Sequence, residues 1–298
     1  MLRQIWNCYR GWAKLARDTQ AHAQRWNLVA LVLVCAAAVF GATASIVPAT
    51  WSIWAASAAT ITSALGAYFG KQLIGAGKEV DWIQARAVAE GIKSECYRYA
   101  ARCGPYALGS SVDAARLFAT RADEIAKQAT EKGLVLQDDP VPSSGDKLEP
   151  PIPMVKDWYK VSRIENQIEY YKKGRQENQR AADILWWVAI VAGIAAVVFG
   201  ALGAWAQRYA PWIGTMTTIA ASIGAYGLAD RRRYLIASYA AMQSSLERIL
   251  GLDAEAPSNI TDLVSTTEDL LESEHKAWLP QMLARQRQVS QPQLKAET

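Results

Sequence analysis

Few residues in this chain have the types and spacing that chemistry requires. Its cysteines are Cys8, Cys35, Cys96 and Cys103. Cys96 and Cys103 fall on one face of a predicted helix, without the close pairing of ligands that a zinc site needs. His22 and His275 stand apart from any set of metal ligands or triad partners. We therefore interpret the cysteines as packing residues and expect neither a metal ion nor another cofactor.

The chain also has none of the short motifs that mark common enzymes. It contains no P-loop, no GxGxxG before a helix, no HExxH and no GxSxG. Its 32 Lys and Arg against 28 Asp and Glu leave a net charge of only +4, without a basic stripe interleaved with aromatic residues. The sequence predicts a protein that is not an enzyme and does not bind nucleic acid.

The distribution of charge is the strongest signal. Mean hydropathy is −0.03 overall, yet no Asp, Glu, Lys or Arg occurs from Trp26 to Gly70, and from Ile184 to Ala229 only Arg208 is charged. A bilayer crossing needs about 20 apolar residues, so each block is long enough for two crossings. Pro48 interrupts the first block, and Arg208 with Pro211 interrupts the second.

These breaks predict an all-α, polytopic membrane protein with two transmembrane hairpins in tandem and long cytoplasmic helices. The predicted spans are about 28–47, 51–70, 185–205 and 211–229. Basic residues crowd the span ends away from the two short turns, and the positive-inside rule then places both termini in the cytoplasm of an inner-membrane protein. They are Arg3, Arg10, Lys14, Arg17, Arg25, Lys71, Lys78, Lys172, Lys173, Arg175, Arg180, Arg231, Arg232 and Arg233. Those nearest the second hairpin also suit anionic lipid headgroups.

The two hairpins are copies of one unit. "TITSALGAYFG" at 60–70 matches "TIAASIGAYGL" at 218–228, and the same register pairs Trp54 with Trp212 and Ala37 with Ala195. Both copies carry a stripe of small and hydroxyl residues on one helix face. The stripe is Ser57, Thr60, Ala64 and Ala67 in the first copy and Thr215, Thr218, Ser222 and Ala225 in the second. It predicts either close helix packing or the wall of a narrow water path. Acidic residues and histidine are missing from the spans, which disfavours a coupled transporter.

The predicted domains are a first two-span unit (1–135), a Pro-rich linker (136–155), a second unit (156–284) and a disordered tail (285–298). Helices are expected from about 78 to Gly104, from 110 to 132, and from Trp158 onward, with Trp158, Val161, Ile164, Ile168 and Tyr171 on one apolar face. Along the first of these helices, Arg86 with Glu90, Glu90 with Lys93, and Glu95 with Arg98 are spaced to pair on a solvated surface. A last helix is predicted to begin with a capping box of Ser265 and Glu268.

Several of these stretches resemble the SLATT family of two-transmembrane effector domains. They are "RAVAEGIKSECYRYAARCGPY" after the first hairpin, then "WIGTMTTIAASIGAY", "RYLIASYAAMQSSLERIL" and "EDLLESEHKAWL" in the second copy. The resemblance implies a tandem member of a family found in bacterial conflict systems, often encoded beside nucleotide second-messenger synthases. It implies structural or gating roles for Arg86, Glu90, Lys93, Glu95, Tyr97, Arg98, Tyr99, Pro105, Tyr106, Tyr234, Tyr239, Glu247, Glu274 and Trp278.

The sequence is compatible with two functions. The first is a membrane effector that oligomerises into a regulated pore, or otherwise permeabilises the inner membrane, in anti-phage defence. Its trigger would be a nucleotide second messenger or a partner protein. The second is a non-conducting scaffold or adaptor whose cytoplasmic helices recruit a soluble partner. The expected partners are thus the lipid bilayer and further copies of the chain.

Overall fold

The computed structural model of this chain describes residues 1–75, 78–108, 110–131, 133–136, 149–229 and 232–290. These residues form helices and connecting turns, with no strand among them. The predicted all-α class is therefore confirmed. Most of the Pro-rich linker, residues 137–148, and the last eight positions of the predicted tail lie outside the described residues.

The helices follow in chain order. They are α1 (Leu2–Ala44), α2 (Ala49–Gly75), α3 (Lys78–Ala101), α4 (Ser111–Thr130), α5 (Lys156–Tyr159), α6 (Asn166–Trp205), α7 (Ala210–Ala229), α8 (Arg232–Glu255) and α9 (Ile260–Ser290). A π-helical segment at Lys160–Glu165 joins α5 to α6 without a break, and 3₁₀ turns lie at Gly104–Tyr106 and Gln207–Tyr209. The helices break close to Pro48 and Arg208, as the sequence predicted.

The chain forms two compact units that cut across the two sequence copies. The charged unit consists of Met1–Gln20, Lys78–Tyr170 and Met242–Thr298, and the apolar unit of Ala21–Gly77 and Tyr171–Ala241. Each unit therefore takes segments from both copies. Three helices, α1, α6 and α8, run from one unit into the other without interruption. The domain limits predicted from the repeat therefore divide the chain into its two sequence copies, and they do not coincide with the two compact units.

In the apolar unit, each predicted hairpin is made by close approach at a small residue. Gly66 of α2 lies against α1, where a Cβ would come within 3.3 Å of the Val34 side chain. About one turn further along α2, Phe69 stacks on Trp26 of α1 with ring centroids 4.5 Å apart. In the second hairpin, Gly203 of α6 lies against the backbone of α7. Small residues permit such approach because the helix backbones can then come into van der Waals contact.

Two described helices have the length and composition to cross a membrane. The most apolar windows of α1 and of the helix Lys156–Trp205 have mean hydropathies of 2.2 and 2.4. Only 6% and 11% of those windows are buried, so their apolar side chains face outward, unlike those of a soluble core helix. The second helix of each hairpin, α2 or α7, is not among them, because Ser, Thr and Gly dilute its apolar residues.

The charged unit has α3 at its centre, packed against α4 and α9. Tyr99 stacks on Phe118 of α4 at 4.4 Å between ring centroids, and Tyr106 meets the same Phe118 edge-on. Helix α4 begins with a capping box in which Ser110 and Asp113 bond reciprocally. Cys96 and Cys103 are buried here as free thiols, while Cys8 and Cys35 are half-buried.

The π-helical segment changes the face that the sequence predicted for the helix after Trp158. Val161 was placed on the apolar face, but its side chain is 59% exposed, while Arg163 beside it is 1% exposed. A π turn accommodates one more residue than an α turn, so the periodicity of 3.6 residues does not hold across it. The buried positions become Tyr159, Arg163, Ile164 and Tyr171.

Two predictions about the last helix were wrong. Helix α9 begins at Ile260, and its cap is Asn259, whose Oδ1 accepts from the Asp262 amide at 2.8 Å. Ser265 and Glu268 therefore lie inside the helix rather than at its start. Helix α9 also continues to Ser290, into the segment predicted as disordered from 285 onward, since the Gln and Arg of that segment are good helix formers.

Candidate functional site

The most buried charged residues of the charged unit are Arg163 and Glu268. The guanidinium donates from Nε and Nη2 to the two carboxylate oxygens of Glu268 at 2.9 and 2.8 Å, and their side chains are 1% and 0% exposed. The Tyr159 hydroxyl donates a third bond to Glu268 at 2.9 Å. Burial by itself would lower the pKa of Arg163, but the facing carboxylate holds it well above its ordinary value, so the pair is ionic.

Three further side chains complete what we call the Arg163 cluster. Glu90 of α3 accepts from Arg163 Nη1 at 3.4 Å and lies 3.9 Å from Lys93 Nζ. The amide oxygen of Gln167, in the orientation that satisfies its neighbours, accepts from Arg163 Nη1 at 2.9 Å. Burial would raise the pKa of Glu90, but Lys93 and Arg163 hold it well below its usual range. The Arg163 cluster thus consists of Glu90, Lys93, Arg163, Gln167 and Glu268.

A neighbouring set of cations holds the segment that leads into the Arg163 cluster. Lys156 Nζ lies 2.9 Å and Lys160 Nζ 2.5 Å from the carboxylate of Asp253 near the end of α8. The Ser258 amide and hydroxyl donate to the same carboxylate at 2.9 and 2.6 Å. Bonds from Lys156, Lys160 and Ser258 hold the pKa of Asp253 well below its usual range. The α5 and π-helical segments are therefore fixed to both α8 and α9.

A second network surrounds Arg98, near the end of α3. Arg98 Nη2 donates to Asp269 at 2.8 Å and to Glu272 at 2.7 Å, both on α9. Its Nη1 lies 3.5 Å from Glu95, which also accepts from the Tyr106 hydroxyl and lies 3.6 Å from Arg121 of α4. This network connects residues of the first sequence copy to residues of the second.

The prediction that the charges of α3 form a solvated face was wrong. Lys93, Glu95 and Arg98 are 2%, 5% and 8% exposed. The spacing of Glu90 with Lys93 and of Glu95 with Arg98 does produce ion pairs, but in the interior. Arg86 is half-buried, with its guanidinium 5.4 Å from the ring centroid of Tyr170. Helical spacing alone cannot distinguish the two cases, because the burying partner comes from distant sequence.

Tyr97 of α3 adjoins the Arg163 cluster, since the Arg163 guanidinium lies 4.9 Å from its ring centroid. The residues that the resemblance singled out in the second copy have other surroundings. Tyr239 is buried and packs on Tyr171 at 5.6 Å between ring centroids. Glu247 is exposed and accepts from Gln243 at 2.8 Å, and Glu274 lies 3.6 Å from His275. Tyr234 is half-buried, and the side chain of Trp278 lies outside the described residues.

The predicted stripe of α2 faces outward. Ser57, Thr60, Ala64 and Ala67 are all exposed, whereas Gly66 between them is buried against α1. The stripe therefore takes no part in the packing of α1 on α2. The Thr60 hydroxyl donates to the carbonyl of Ala56 in its own helix at 3.0 Å.

The matching stripe of α7 is divided. Thr215 is buried and donates to the carbonyl of Ala38 of α1 at 3.2 Å, so it packs the helices together. Thr218 and Ala225 are exposed and Ser222 is half-buried. A shallow groove of about 310 Å³ runs between α1 and α7 at this level. Its lining residues are Ala38, Gly41, Ala42, Ser45, Pro211, Gly214, Thr215 and Thr218.

Among the described residues no group of His, Cys, Asp and Glu could hold a metal ion. Burial raises the pKa of the Cys96 and Cys103 thiols, which makes them poor nucleophiles. What the Arg163 cluster can do is fix the relative position of helices, since a bidentate buried pair is strong and directional.

Sequence reasoning missed the centre of this site. The sequence pattern does not single out Arg163, Tyr159, Gln167 or Asp253, and it assigns Glu268 to a helix cap. The one available signal was the recurrence of polar and aromatic residues at Tyr159, Arg163, Gln167 and Tyr171, four apart. That spacing marks a helix face without showing that the face is buried.

Two long outward-facing apolar helices, together with a helical unit rich in buried ion pairs, are typical of a helical membrane protein. The comparison with known families narrows this class. Residues 7–149 match SLATT_3, the SMODS and SLOG-associating 2TM effector domain 3, and residues 159–278 match SLATT_1, the corresponding domain 1. No curated protein and no solved structure matches the chain.

The chain therefore belongs to the SLATT family, with two of its two-transmembrane effector domains in tandem. Each match covers one of the two sequence copies, and the boundary between the matches lies near the Pro-rich linker. The Arg98 and Arg163 networks both join residues of the SLATT_3 region to residues of the SLATT_1 region, so the two copies share one charged interior.

Proposed function

We propose that this protein is an effector of the inner membrane in a bacterial conflict system, where it self-associates into a regulated pore that arrests or kills an infected cell. The family's description as effector domains associated with SMODS and SLOG proteins supports the setting. A nucleotide second messenger or a partner protein supplies the trigger in this proposal.

The proposed topology has four spans, two per copy, with both termini and the charged unit in the cytoplasm. The family supplies two spans per domain, and the helix breaks near Pro48 and Arg208 divide each apolar block in two. The basic residues at the opposite ends of the spans set the orientation. Reporter fusions in the two short turns test this topology, and a cytoplasmic reporter activity in either turn contradicts it.

The observation that carries the pore proposal is the outward stripe of α2. A charge-free helix normally turns its small residues toward its neighbours, yet Ser57, Thr60, Ala64 and Ala67 all lie on the surface of the single chain. Four helices cannot both pack together and enclose water, so conduction requires several copies. The stripe is then covered by another copy or lines the path that the copies enclose.

The alternative is a membrane scaffold that does not conduct. The hydroxyls of Thr60 and Thr218 each bond to a carbonyl of their own helix, at 3.0 and 2.7 Å. Such internal bonding lets a hydroxyl face lipid at little cost, so an exposed stripe does not require water.

Ion flux through vesicles distinguishes the two. Purified protein is reconstituted in liposomes loaded with a fluorescent ion reporter, with and without the nucleotides and partner proteins made by neighbouring genes. The pore proposal expects flux with at least one of these additions. Silence under all of them favours the scaffold.

Substitution of the stripe provides the matched comparison. Thr60→Leu and Thr218→Leu remove hydroxyls from the stripe, while Thr217→Leu removes an exposed hydroxyl from another face of α7. We expect flux and toxicity to fall in the first two variants and to persist in the third. Equal behaviour of all three variants at equal membrane abundance argues against a pore lined or assembled by the stripe.

A further inference from the structure

The Arg163 cluster lies at the base of a helix that continues into the most apolar part of the chain. Helix α6 begins at Asn166, directly after the π-helical segment, and extends to Trp205 without a break. Its residues up to Tyr170 belong to the charged unit and those from Tyr171 onward to the apolar unit. Arg163 and Gln167 therefore make their ion-pair and hydrogen-bond contacts at the start of this helix.

The π-helical segment makes a second rotational position of α6 accessible. Lys160–Glu165 contains one wide turn, and such turns are less favourable than α-helix and are often found at functional sites. Conversion to α-helix with the preceding segment held in place would shift everything after it by one residue. A shift of one residue turns a helix by about 100° and moves it by about 1.5 Å along its axis.

The ion pairs oppose this conversion on both sides of the turn. Lys156 and Lys160 hold the start of the segment to Asp253, and Arg163 holds its centre to Glu268. Arg163 is 1% exposed, so a shift would withdraw the guanidinium from both Glu268 and Glu90 and leave buried charges without partners. Such a loss is costly in a protein interior. The ion pairs therefore stabilise the π-helical conformation against conversion to α-helix.

We infer that the Arg163–Glu268 pair and the π-helical segment form a latch that sets the rotation of α6. While the latch is closed, α6 presents Ala192 and Ala196 toward its neighbours, where they are 6% and 9% exposed. When it opens, α6 turns and presents another face. The inference deepens the proposed function, since it names the element that a trigger would release, but its test does not depend on conduction.

Two labels on α6 report such a turn whichever way it goes. Val191 and Val197 are 62% and 74% exposed and lie about 120° apart around the helix, on either side of the outward face. A turn of about 100° in one sense carries Val191 to the buried face, and in the other sense it carries Val197 there. One label must therefore become immobile while the other stays mobile.

The experiment uses the full chain in vesicles of phosphatidylcholine and phosphatidylglycerol. A spin label on a genetically encoded ketone side chain replaces Val191 or Val197 and leaves the native cysteines untouched. The latch is removed by Arg163→Met combined with Glu268→Leu, which takes away both charges together. The control is Lys173→Met with Glu177→Leu, an exposed pair on the same helix whose atoms lie 3.9 Å apart. Circular dichroism and size-exclusion chromatography confirm that each variant is folded.

We expect one of the two labels to lose its mobility in the latch variant and both to remain mobile in the control. Glu268→Gln, which keeps the shape of the side chain, is the second variant if the double substitution does not fold, and the same loss is expected at smaller amplitude. Unchanged mobility of both labels in a folded latch variant overturns the inference. Ion flux is recorded on the same vesicles. If a label loses its mobility but no flux occurs, the latch inference stands and the pore proposal fails. If flux occurs while both labels keep their mobility, the pore proposal stands and the latch inference fails.

Discussion

The ring of Tyr239 in α8 lies directly over the backbone of Gly174 in α6. A Cβ at position 174 would come within 2.7 Å of a ring carbon of Tyr239, a distance that real side chains do not tolerate. Tyr171, one turn earlier, packs on the same ring with its centroid 5.6 Å away. Glycine at 174 is therefore what allows these two helices to meet at the edge of the apolar unit.

Gly174→Ala is expected to destabilise the protein because the added methyl group must displace the Tyr239 ring. Overpacking of this kind costs roughly 1–3 kcal/mol in the free energy of unfolding. The matched control is Gly251→Ala in α8, where the methyl group meets no atom within 4 Å and helix propensity should improve stability by up to about 1 kcal/mol. Denaturation in detergent, followed by circular dichroism, measures both. Equal midpoints for the two variants would show that the ring moves aside freely.

Removal of Arg163 alone should be far more damaging than removal of the pair. Arg163→Ala leaves Glu268, at 0% exposure, as a buried charge without its main partner, and such a loss costs about 3–5 kcal/mol. Lys173→Ala on the exposed part of α6 should cost less than about 1 kcal/mol. Replacement of both partners by apolar residues should recover most of the loss. A double variant no more stable than Arg163→Ala would count against a mainly electrostatic penalty.

Acid should weaken the charged unit through Asp253. Lys156, Lys160 and Ser258 lower the pKa of this carboxyl in the folded state, so the unfolded chain binds a proton more readily. The stability it contributes is therefore fully present above the pKa of the unfolded form and is lost as pH falls below it. Asp253→Asn should flatten the fall of unfolding free energy with acid pH, and the exposed Asp157→Asn should not. Parallel pH profiles for wild type and Asp253→Asn would contradict this reading of the site.

Alkali should act through Cys103 with the opposite sign. Burial raises the pKa of this thiol from 9.0 to about 11, so the folded state favours the neutral form. The stability that the neutral Cys103 thiol contributes is complete below the pKa of the unfolded form. It disappears as pH rises through the pKa of the folded form. Cys103→Ala should reduce the loss of stability between these two values, as measured by thermal melts across that range. Cys8→Ala should act with the same sign, since burial also raises the pKa of this half-buried thiol.

The two copies should associate even when the chain is cut. Arg98 of the first copy bonds to Asp269 and Glu272 of the second, and α3 packs against α9. Two fragments divided within 137–148 and co-expressed should therefore purify together through a tag on one of them. Arg98→Ala combined with Arg163→Ala should reduce recovery of the untagged fragment, and Lys173→Ala should leave it unchanged. Fragments that fail to co-purify as wild type would show that the linker is needed to hold the copies together.

Local signals in the sequence were sufficient for several features. The helix breaks near Pro48 and Arg208, the end of α3 before Gly104 and the start of α4 near residue 110 all depend on residues adjacent in the chain. The resemblance to SLATT domains was confirmed by both family matches. Each of these features is encoded within a stretch short enough to be interpreted without knowing what packs against it.

The errors about which side chains are buried concern long-range partners. Glu268 looked like part of a helix cap because Ser265 precedes it at the right spacing, and only the packing of α9 shows that Arg163 is its partner. Val161 and Arg163 exchanged faces because a π turn is stabilised by contacts beyond its own segment. Lys93, Glu95 and Arg98 looked solvated because their spacing fits a surface ladder equally well.

The sequence by itself determined that two apolar blocks exist, that they are copies, and where each one turns, because charge and proline act locally on solvation and on the backbone. The tertiary structure alone decided that the stripe of α2 faces outward and that the ion pairs of α3 face inward. Which face of a helix is buried depends on neighbours that come from distant parts of the chain. A residue pattern that repeats every helical turn is compatible with more than one buried face.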